Sequence, residues 1–379
     1  MTPPLLLKPR RILACQQRQI GDVLLMTPAL ELLRGRYPEA ELHVLTERKC
    51  LPMLENNPHV DHIWPLDKAA MPTLAHEVRW YWKVARTGYD LVVNFQPTLP
   101  RLRWVVGFSG ATVRLTATPP WYLRPLYTHT VSPSKAYAAA AKVDMLLPLG
   151  IVWNGERPRL YLTDAERRAA REILAGSGLE GGQILITLDP THRQPTRRWP
   201  LESYAQLIAL LDAMALERGF APRFLPLWGP GEEDDIRTLA QQVAGKGLAD
   251  RLLVPDRLLS LRESAACIEA AALHLGNCSA PRHMAVAVGT PSCTAMGSTG
   301  SEWTCPPREG LEPDHLDACA GLPCQPCEAN SCRLSPAPHA PCMEALSPET
   351  MARTAFGLLR RCRPELFTSP PGRIEPTGA

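Results

Sequence analysis

The chain has 379 residues, of which 45% are apolar and 21% charged. That length allows two cores, since a single core stops growing at roughly 250–300 residues, and the composition excludes a wholly disordered chain. A formal net charge of +3 is not the footprint of a non-specific nucleic-acid binder, so nucleic acid is not an expected partner.

No run approaches the ~18 apolar residues of a membrane span. The basic start (Lys8, Arg10, Arg11) is not followed by an apolar signal-peptide core, so a cytoplasmic protein is expected. Arg11–Cys15 is a short apolar run that predicts a strand. Asp22 follows a polar loop and opens a helical pattern, with Val23, Leu24, Met26, Leu30 and Leu33 on its buried face. Glu41–Leu45 and Tyr89–Asn94 are further strands. Strand, helix and strand at this spacing predict βαβ units and a parallel sheet.

A turn-rich segment, Gly150–Pro158, is the expected boundary. Beyond it, Thr163-Asp-Ala-Glu166 fits a capping box, and Gly176 is a good stop for that helix. A second half begins with the strand Gln183–Leu188. A helix around Tyr204–Leu216 follows, then a candidate strand at Arg223–Trp228, which Pro226 either weakens or places at an edge. Leu273–Gly276 and Ser292–Ala295 complete a strand–loop–helix–strand unit, and Ser347-Pro-Glu349 caps a terminal helix. The expected domains are 1–158, 159–346 and a C-terminal helix at 347–362, with a disordered tail at 363–379. The fold class is α/β, with two doubly wound halves facing across a cleft.

Four loops after strands carry chemistry. Gly276-Asn-Cys-Ser-Ala-Pro-Arg-His283 opens a helix. Gly276, Ser279 and Ala280 are small enough for a ligand to approach the backbone, and the helix end attracts anions. His283 in the first turn can donate to a phosphate oxygen. Taken alone, this is equally an ordinary strand-to-helix turn with a Ser279 cap. Thr191-His-Arg-Gln-Pro-Thr-Arg-Arg198 gathers three arginines and two threonines. Thr191, Arg193, Thr196 and Arg197 suit phosphate oxygens, although a solvated basic turn has the same composition. Glu232, in Trp228-Gly-Pro-Gly-Glu232, either favours a helix N-terminus or accepts ribose hydroxyls. Asp22 is either a helix cap or a general base for an acceptor hydroxyl.

Twelve cysteines are unevenly spread, and only Cys15 and Cys50 precede Cys267. Cys324, Cys327, Cys332 and Cys342 have a close first pair suited to a structural zinc, with His339 as a competing ligand. Reduced buried thiols or a labile disulfide are the alternatives.

The ordered set of Gln19–Leu30, Arg197–Pro200, Trp228–Glu232 and Gly276–Val288 resembles the ADP-heptose:lipopolysaccharide heptosyltransferases, glycosyltransferase family nine. The resemblance runs from about Ile12 to Leu359, and the cysteine cluster with Met343 looks like one found in part of that family. It implies the two-Rossmann GT-B architecture, with the acceptor on the first half and the nucleotide sugar on the second. The implied reaction is inverting and needs no metal for catalysis. By the same resemblance Asp22 is the base. The nucleotide sugar meets Thr191, Arg193, Thr196, Arg197, Glu232, Gly276, Cys278, Ser279, Ala280 and His283. The implied donor is ADP-heptose, and the implied acceptor is the lipid A–core oligosaccharide at the inner face of the inner membrane. Arg101, Arg103 and Arg114 are candidates to meet acceptor phosphates, or are plain surface residues. Cys278 and Ala280 stand where the family usually has an acid and a glycine, and Asp189-Pro190 where it has a small turn. These departures admit a different nucleotide sugar, or a non-catalytic paralogue that binds a nucleotide sugar or glycolipid.

Overall fold

A computed structural model describes residues 4–134, 136–307, 313–334 and 340–367. The chain divides into two compact units, Met1–Tyr161 and Leu162–Ala379.

The first unit is built on six parallel strands: β1 (Arg11–Cys15), β2 (Glu41–Glu47), β3 (His62–Leu66), β4 (Leu91–Asn94), β5 (Val113–Ala117) and β6 (His129–Val131). Their order is β3-β2-β1-β4-β5-β6, that of a dinucleotide-binding fold. Central strands of a parallel sheet are buried on both faces and so consist of continuous apolar residues. Ile12 to Cys15 and Leu91 to Val93 are all buried. The helices are α1 (Ile20–Arg36), α2 (Leu74–Ala85), α3 (Arg103–Phe108) and α4 (Ala138–Asp144). One core joins Leu13, Cys15, Leu45 and Val92 of the sheet to Tyr81, Val84 and Ala85 of α2, with Val105 and Val106 of α3.

Helix α1 packs against α4, and its Val23–Leu30 stretch is buried on nearly all sides. Pro28 lies inside it and lacks the N–H that would reach the carbonyl of Leu24. The Thr27 hydroxyl donates to that carbonyl instead, at 2.7 Å. The helix begins two residues before the expected Asp22. Gln19 is the N-cap, and its side chain makes no cap bond.

The second unit has five parallel strands: β7 (Ile184–Asp189), β8 (Pro222–Pro226), β9 (Leu273–Asn277), β10 (Ser292–Met296) and β11 (His315–Cys319). Their order is β11-β10-β9-β7-β8, a doubly wound sheet of the second common type. The strand that ends in Pro226 is at an edge, where a missing N–H costs no ladder bond. Around the sheet lie α5 (Asp164–Gly176), α6 (Leu201–Leu216), α7 (Glu233–Gly245), α8 (Leu261–Ala270), α9 (Ala280–Val288) and a last helix, Pro348–Cys362.

Thr163 and Glu166 form the expected capping box of α5, worth about 1 kcal/mol. Helix α9 is pinned by Arg282, whose buried guanidinium donates to Ser292 Oγ at 2.6 Å and Asp317 Oδ1 at 3.0 Å. Removing one partner of such a buried pair costs roughly 3–5 kcal/mol. The last helix packs on α6, β10 and β11 and buries Met351, Ala355 and Leu358 in the second unit's core.

Disorder was expected from residue 363. Instead Pro364–Phe367 form a 3-10 turn, because Phe367 meets the rings of Phe220 and Phe356 edge-on. The remainder of that expected tail, 368–379, lies outside the described residues.

Each sheet has one place where its winding reverses. In the first unit it falls between β1 and β4, and in the second between β7 and β9. Ligands of open α/β sheets sit at the carboxyl ends of strands at such a point.

Candidate active site

In the second unit, β7 ends at Asp189 and β9 at Asn277, and Asp189 pairs in register with Gly276. A Cβ on Gly276 would stand 2.7 Å from the Asp189 Cβ, so no side chain fits there. The turn after β9 leads through Cys278 and Ser279 into α9. Ser279 is the N-cap, Pro281 lies in the first turn, and no acid is present there. The Ser279 hydroxyl makes no cap bond and donates to Asp189 Oδ2. Burial raises the Asp189 carboxyl to about 8, with Ser279 opposing and Glu232 adding to the rise.

The loop after β7 is tightly held. Trp199 is fully buried; its backbone N–H donates to Asn277 Oδ1 at 3.0 Å and its indole N–H to the carbonyl of Leu346 at 3.0 Å. Thr191 donates to Glu232 Oε2 at 2.6 Å, and the Gly229 N–H donates to the same oxygen at 2.7 Å. Glu232 is the N-cap residue of α7 without making a side-chain cap bond. Its second oxygen is therefore not used in holding the loop.

Thr196 is buried and donates to the carbonyl of Ala329 at 2.8 Å. Arg198 pairs with Asp235 at 2.6 Å, whereas the Arg197 Nε is buried and has no hydrogen-bond partner among the described residues. His283 Nδ1 is in the same condition. Burial, then the charge of Arg282, lowers His283 to about 3, so it is a neutral imidazole at pH 7. His192 is lowered to about 4, first by burial and then by Arg197, and its Nδ1 accepts the Gln194 N–H. Buried polar groups normally have partners. Unpartnered nitrogens such as these, beside a helix whose first turn carries no acid, are what an anion would satisfy.

The structure thus brings Thr191, Thr196, Arg197, Glu232, Gly276, Cys278, Ser279, Ala280 and His283 to the carboxyl ends of β7–β9 and the turns they lead into. Arg193 is exposed on the outside of the loop. Cys278 is buried, and burial raises its thiol to about 11, so it is a neutral thiol rather than a thiolate. Gly297 and Ser298, which are not among the residues singled out from the sequence, buttress the loop. Ser298 N–H donates to the Thr196 carbonyl at 3.1 Å. A Cβ on Gly297 would lie 1.9 Å from that same oxygen. The available signal was a glycine directly after a strand.

Asp22 belongs to the first unit, in the first turn of α1, beside the reversal point of that sheet. Close by, Lys142 is buried and donates to Gln16 Oε1 at 2.8 Å. Burial lowers its ammonium, and the charge of Asp22 opposes that shift. Arg101 is committed to the buried Glu77, and Arg114 donates back to the carbonyl of Leu126 at 2.6 Å.

The thiols of Cys324, Cys327 and Cys332 all raise that of Cys342, after burial, which is the larger cause. The four therefore share a neighbourhood. Among the described residues, however, no three or more His, Cys, Asp or Glu side chains are arranged as metal ligands. The donor set fits a divalent ion such as zinc. His339 lies outside the described residues. The cysteine loop is joined to the segment that buttresses the loop after β7. Gln325 donates to the carbonyl of Gly297 at 2.9 Å, and the Glu328 N–H donates to that of Ser298 at 2.8 Å.

A Rossmann-like unit with unpartnered nitrogens at its reversal point has the form of a ligand-binding α/β protein. The sequence profile of glycosyltransferase family 9 (heptosyltransferase) matches residues 118–337, more than half of the chain, and the chain belongs to that family: it is a glycosyltransferase. Lipopolysaccharide heptosyltransferase 3 of Escherichia coli is 25% identical over 296 residues, spanning 74% of this chain and 81% of the relative. Among solved structures, a family 9 glycosyl transferase from Veillonella parvula superposes with a TM-score of 0.78 at 20% identity, covering 95% of this chain and 100% of the other. The E. coli heptosyltransferase WaaC with ADP-2-deoxy-2-fluoro heptose gives 0.64 at 18% identity, covering 92% and 99%. At such identities the structural likenesses speak for the fold.

Proposed function

We propose that the chain transfers a heptose or related sugar, with inversion, from a nucleotide diphosphate donor to a lipopolysaccharide core acceptor, and that ADP-heptose is the favoured donor. The observation that carries this is the pair of unpartnered buried nitrogens, Arg197 Nε and His283 Nδ1, beside the acid-free start of α9. An E. coli relative holds an ADP-heptose analogue, and a sequence relative is a lipopolysaccharide heptosyltransferase.

The diphosphate accepts from Arg197, from neutral His283, from the Ser279 hydroxyl once it turns away from Asp189 Oδ2, and from the free N–H groups of α9. Thr191, Arg193 and Thr196 shape and charge the same loop. Glu232 accepts a ribose hydroxyl on the oxygen that the loop leaves free. Gly276, Cys278 and Ala280 keep the turn small and uncharged beside the sugar. Asp22 takes the proton of the acceptor hydroxyl as its oxygen bonds to the anomeric carbon. The bond from that carbon to the diphosphate breaks on the opposite face, and its electron pair stays on the phosphate oxygen. No metal is required for these steps. A structural zinc on Cys324, Cys327, Cys332 and Cys342 would steady the loop behind Thr196, and metal analysis of the purified protein tests it. The acceptor places the protein at the cytoplasmic face of the inner membrane.

Thermal melting with a panel of nucleotide diphosphates tests the reading, since a ligand of the folded state raises the melting temperature. A selective rise with ADP or ADP-heptose, lost in Arg197→Ala, is expected. A selective response to UDP or GDP compounds keeps the reaction and changes the donor. No response to any nucleotide overturns the reading.

A further inference from the structure

Charge is unevenly spread over the first unit. Between Lys68 and Val143 stand ten lysines and arginines and only two acids, Glu77 and Asp90. Both acids are committed: Glu77 to Arg101, and Asp90 to the N–H groups of Arg10 and Arg11. Arg79, Lys83, Arg86, Arg103 and Arg124 are exposed, and none is in an ion pair among the described residues.

The same segment exposes large aromatic rings. Trp121 is 85% exposed, and Tyr122 and Trp82 are each 51% exposed. Trp121 and Tyr122 begin the 3-10 turn Trp121–Leu126. That turn sits against α3, and α3 sits against α2. Tyr81 and Val84 of α2, Val105 and Val106 of α3 and Leu126 of the turn join one core. These three elements therefore lie side by side over one core, which brings their exposed side chains to neighbouring positions on the surface. Two of its cations lie over rings: Arg103 is 4.6 Å from the centroid of Trp104, and Arg86 is 5.8 Å from that of Trp82.

Solvent-facing tryptophan and tyrosine interleaved with unpaired arginine suit one environment especially well. At a bilayer surface the rings lie at headgroup depth while the cations meet anionic lipid. A soluble anion would use the cations and leave Trp121 and Tyr122 without a purpose. We propose that the outer surface of α2, α3 and Trp121–Leu126 docks on an anionic lipid bilayer, with Trp121 and Tyr122 entering the interface and Arg103 and Arg124 holding headgroups. This rests on the reading above only in expecting the acceptor to be embedded in a membrane, and it gives that contact a surface.

Flotation of the full chain with vesicles tests it. One set is an equimolar mixture of phosphatidylglycerol and phosphatidylcholine, and the other is phosphatidylcholine alone. Binding to the mixed vesicles only is expected, with a blue shift of tryptophan fluorescence and release by high salt. Trp121→Ser with Tyr122→Ser should weaken binding by about tenfold or more, and Arg103→Glu with Arg124→Glu should abolish it. Arg103→Lys with Arg124→Lys should retain it. ADP-induced stabilisation reports the fold of each variant. Binding to neither vesicle, equal binding to both, or unaltered binding by both disruptive variants would overturn the proposal. Vesicle binding without any nucleotide response would leave this surface standing while the proposed activity fell.

Discussion

Two helices start at the reversal points of the two sheets, and their first turns are opposites. Helix α1 carries a carboxylate, Asp22, in its first turn. Helix α9 carries none; it has Pro281 there and a serine N-cap whose hydroxyl is turned to Asp189. A helix N-terminus has a partial positive charge that either the chain or a ligand can complement. The α1 end is complemented from within and repels a further anion. The α9 end has no acid of its own in the first turn, and in the proposed reaction it takes the diphosphate. On the proposed reading, two similar folds take unlike tasks through the difference in their first turns. The acidic end suits a neutral hydroxyl that must lose a proton, and the open end suits a leaving group that gains charge.

Removing the acid from the first helix should break the comparison most severely. Asp22→Asn keeps the shape and removes the base, so sugar transfer should fall by about 10²–10⁴-fold. ADP affinity, measured by calorimetry on the same variant, should stay within about twofold, because the donor is assigned to the other unit. A matching loss in ADP affinity would place Asp22 in donor binding and end the division of labour. On the open side, Arg197→Ala removes a charge-assisted donor, so ADP should bind about 10- to 100-fold more weakly. If Arg193→Ala, at an exposed position, proved as damaging as Arg197→Ala, the ranking by burial would be wrong.

How much of this was legible in the sequence differs by element. β1, β4, β7 and β9 are buried on both faces, and their apolar runs announce them. β3, β5 and β11 are interrupted by Pro65, Arg114 and Asp317, so no apolar run stands out, and β6 is a three-residue edge strand. The Ser260-Leu-Arg-Glu263 capping box of α8 has the same form as the one at Thr163 and was open to the same reading. The phosphate loop, Glu232 and Arg197 could be found from loops that follow strands. The Asp189–Ser279 contact could not. It joins residues 90 positions apart and exists only because β7 and β9 pair in a register that sets Asp189 against Gly276.

That contact makes the open end sensitive to pH. Buried beside Ser279, Glu232 and the Tyr204 hydroxyl that donates to its backbone carbonyl, the Asp189 carboxyl is raised to about 8. A diphosphate at α9 adds negative charge and raises it further, so the bound state keeps the proton to higher pH. Affinity for ADP should be flat below pH about 8 and fall above it by up to about tenfold per pH unit. Asp189→Asn should remove that slope. In folding the sign is parallel: a raised carboxyl contributes stability that is fully present below the ordinary carboxylate range and is lost as pH rises through about 8. A slope that survives in Asp189→Asn would assign the titration to another group, with His192 of the same loop, lowered to about 4, too acidic to supply it.

The smallest expected effect separates the two partners of the contact. Ser279→Ala removes one neutral hydroxyl, so ADP should bind about two- to tenfold more weakly at neutral pH. The hydroxyl also holds the Asp189 carboxyl down against burial. Without it the carboxyl rises further, and the pH at which affinity begins to fall should move upward in the same variant. A titration of ADP affinity between pH 6 and about 10 reads both changes together. Weaker binding with an unmoved pH break would mean that Ser279 serves the diphosphate while another group sets the charge of Asp189. An upward break with unchanged neutral affinity would mean the reverse, that Ser279 belongs to Asp189 and the α9 N–H groups hold the diphosphate without it.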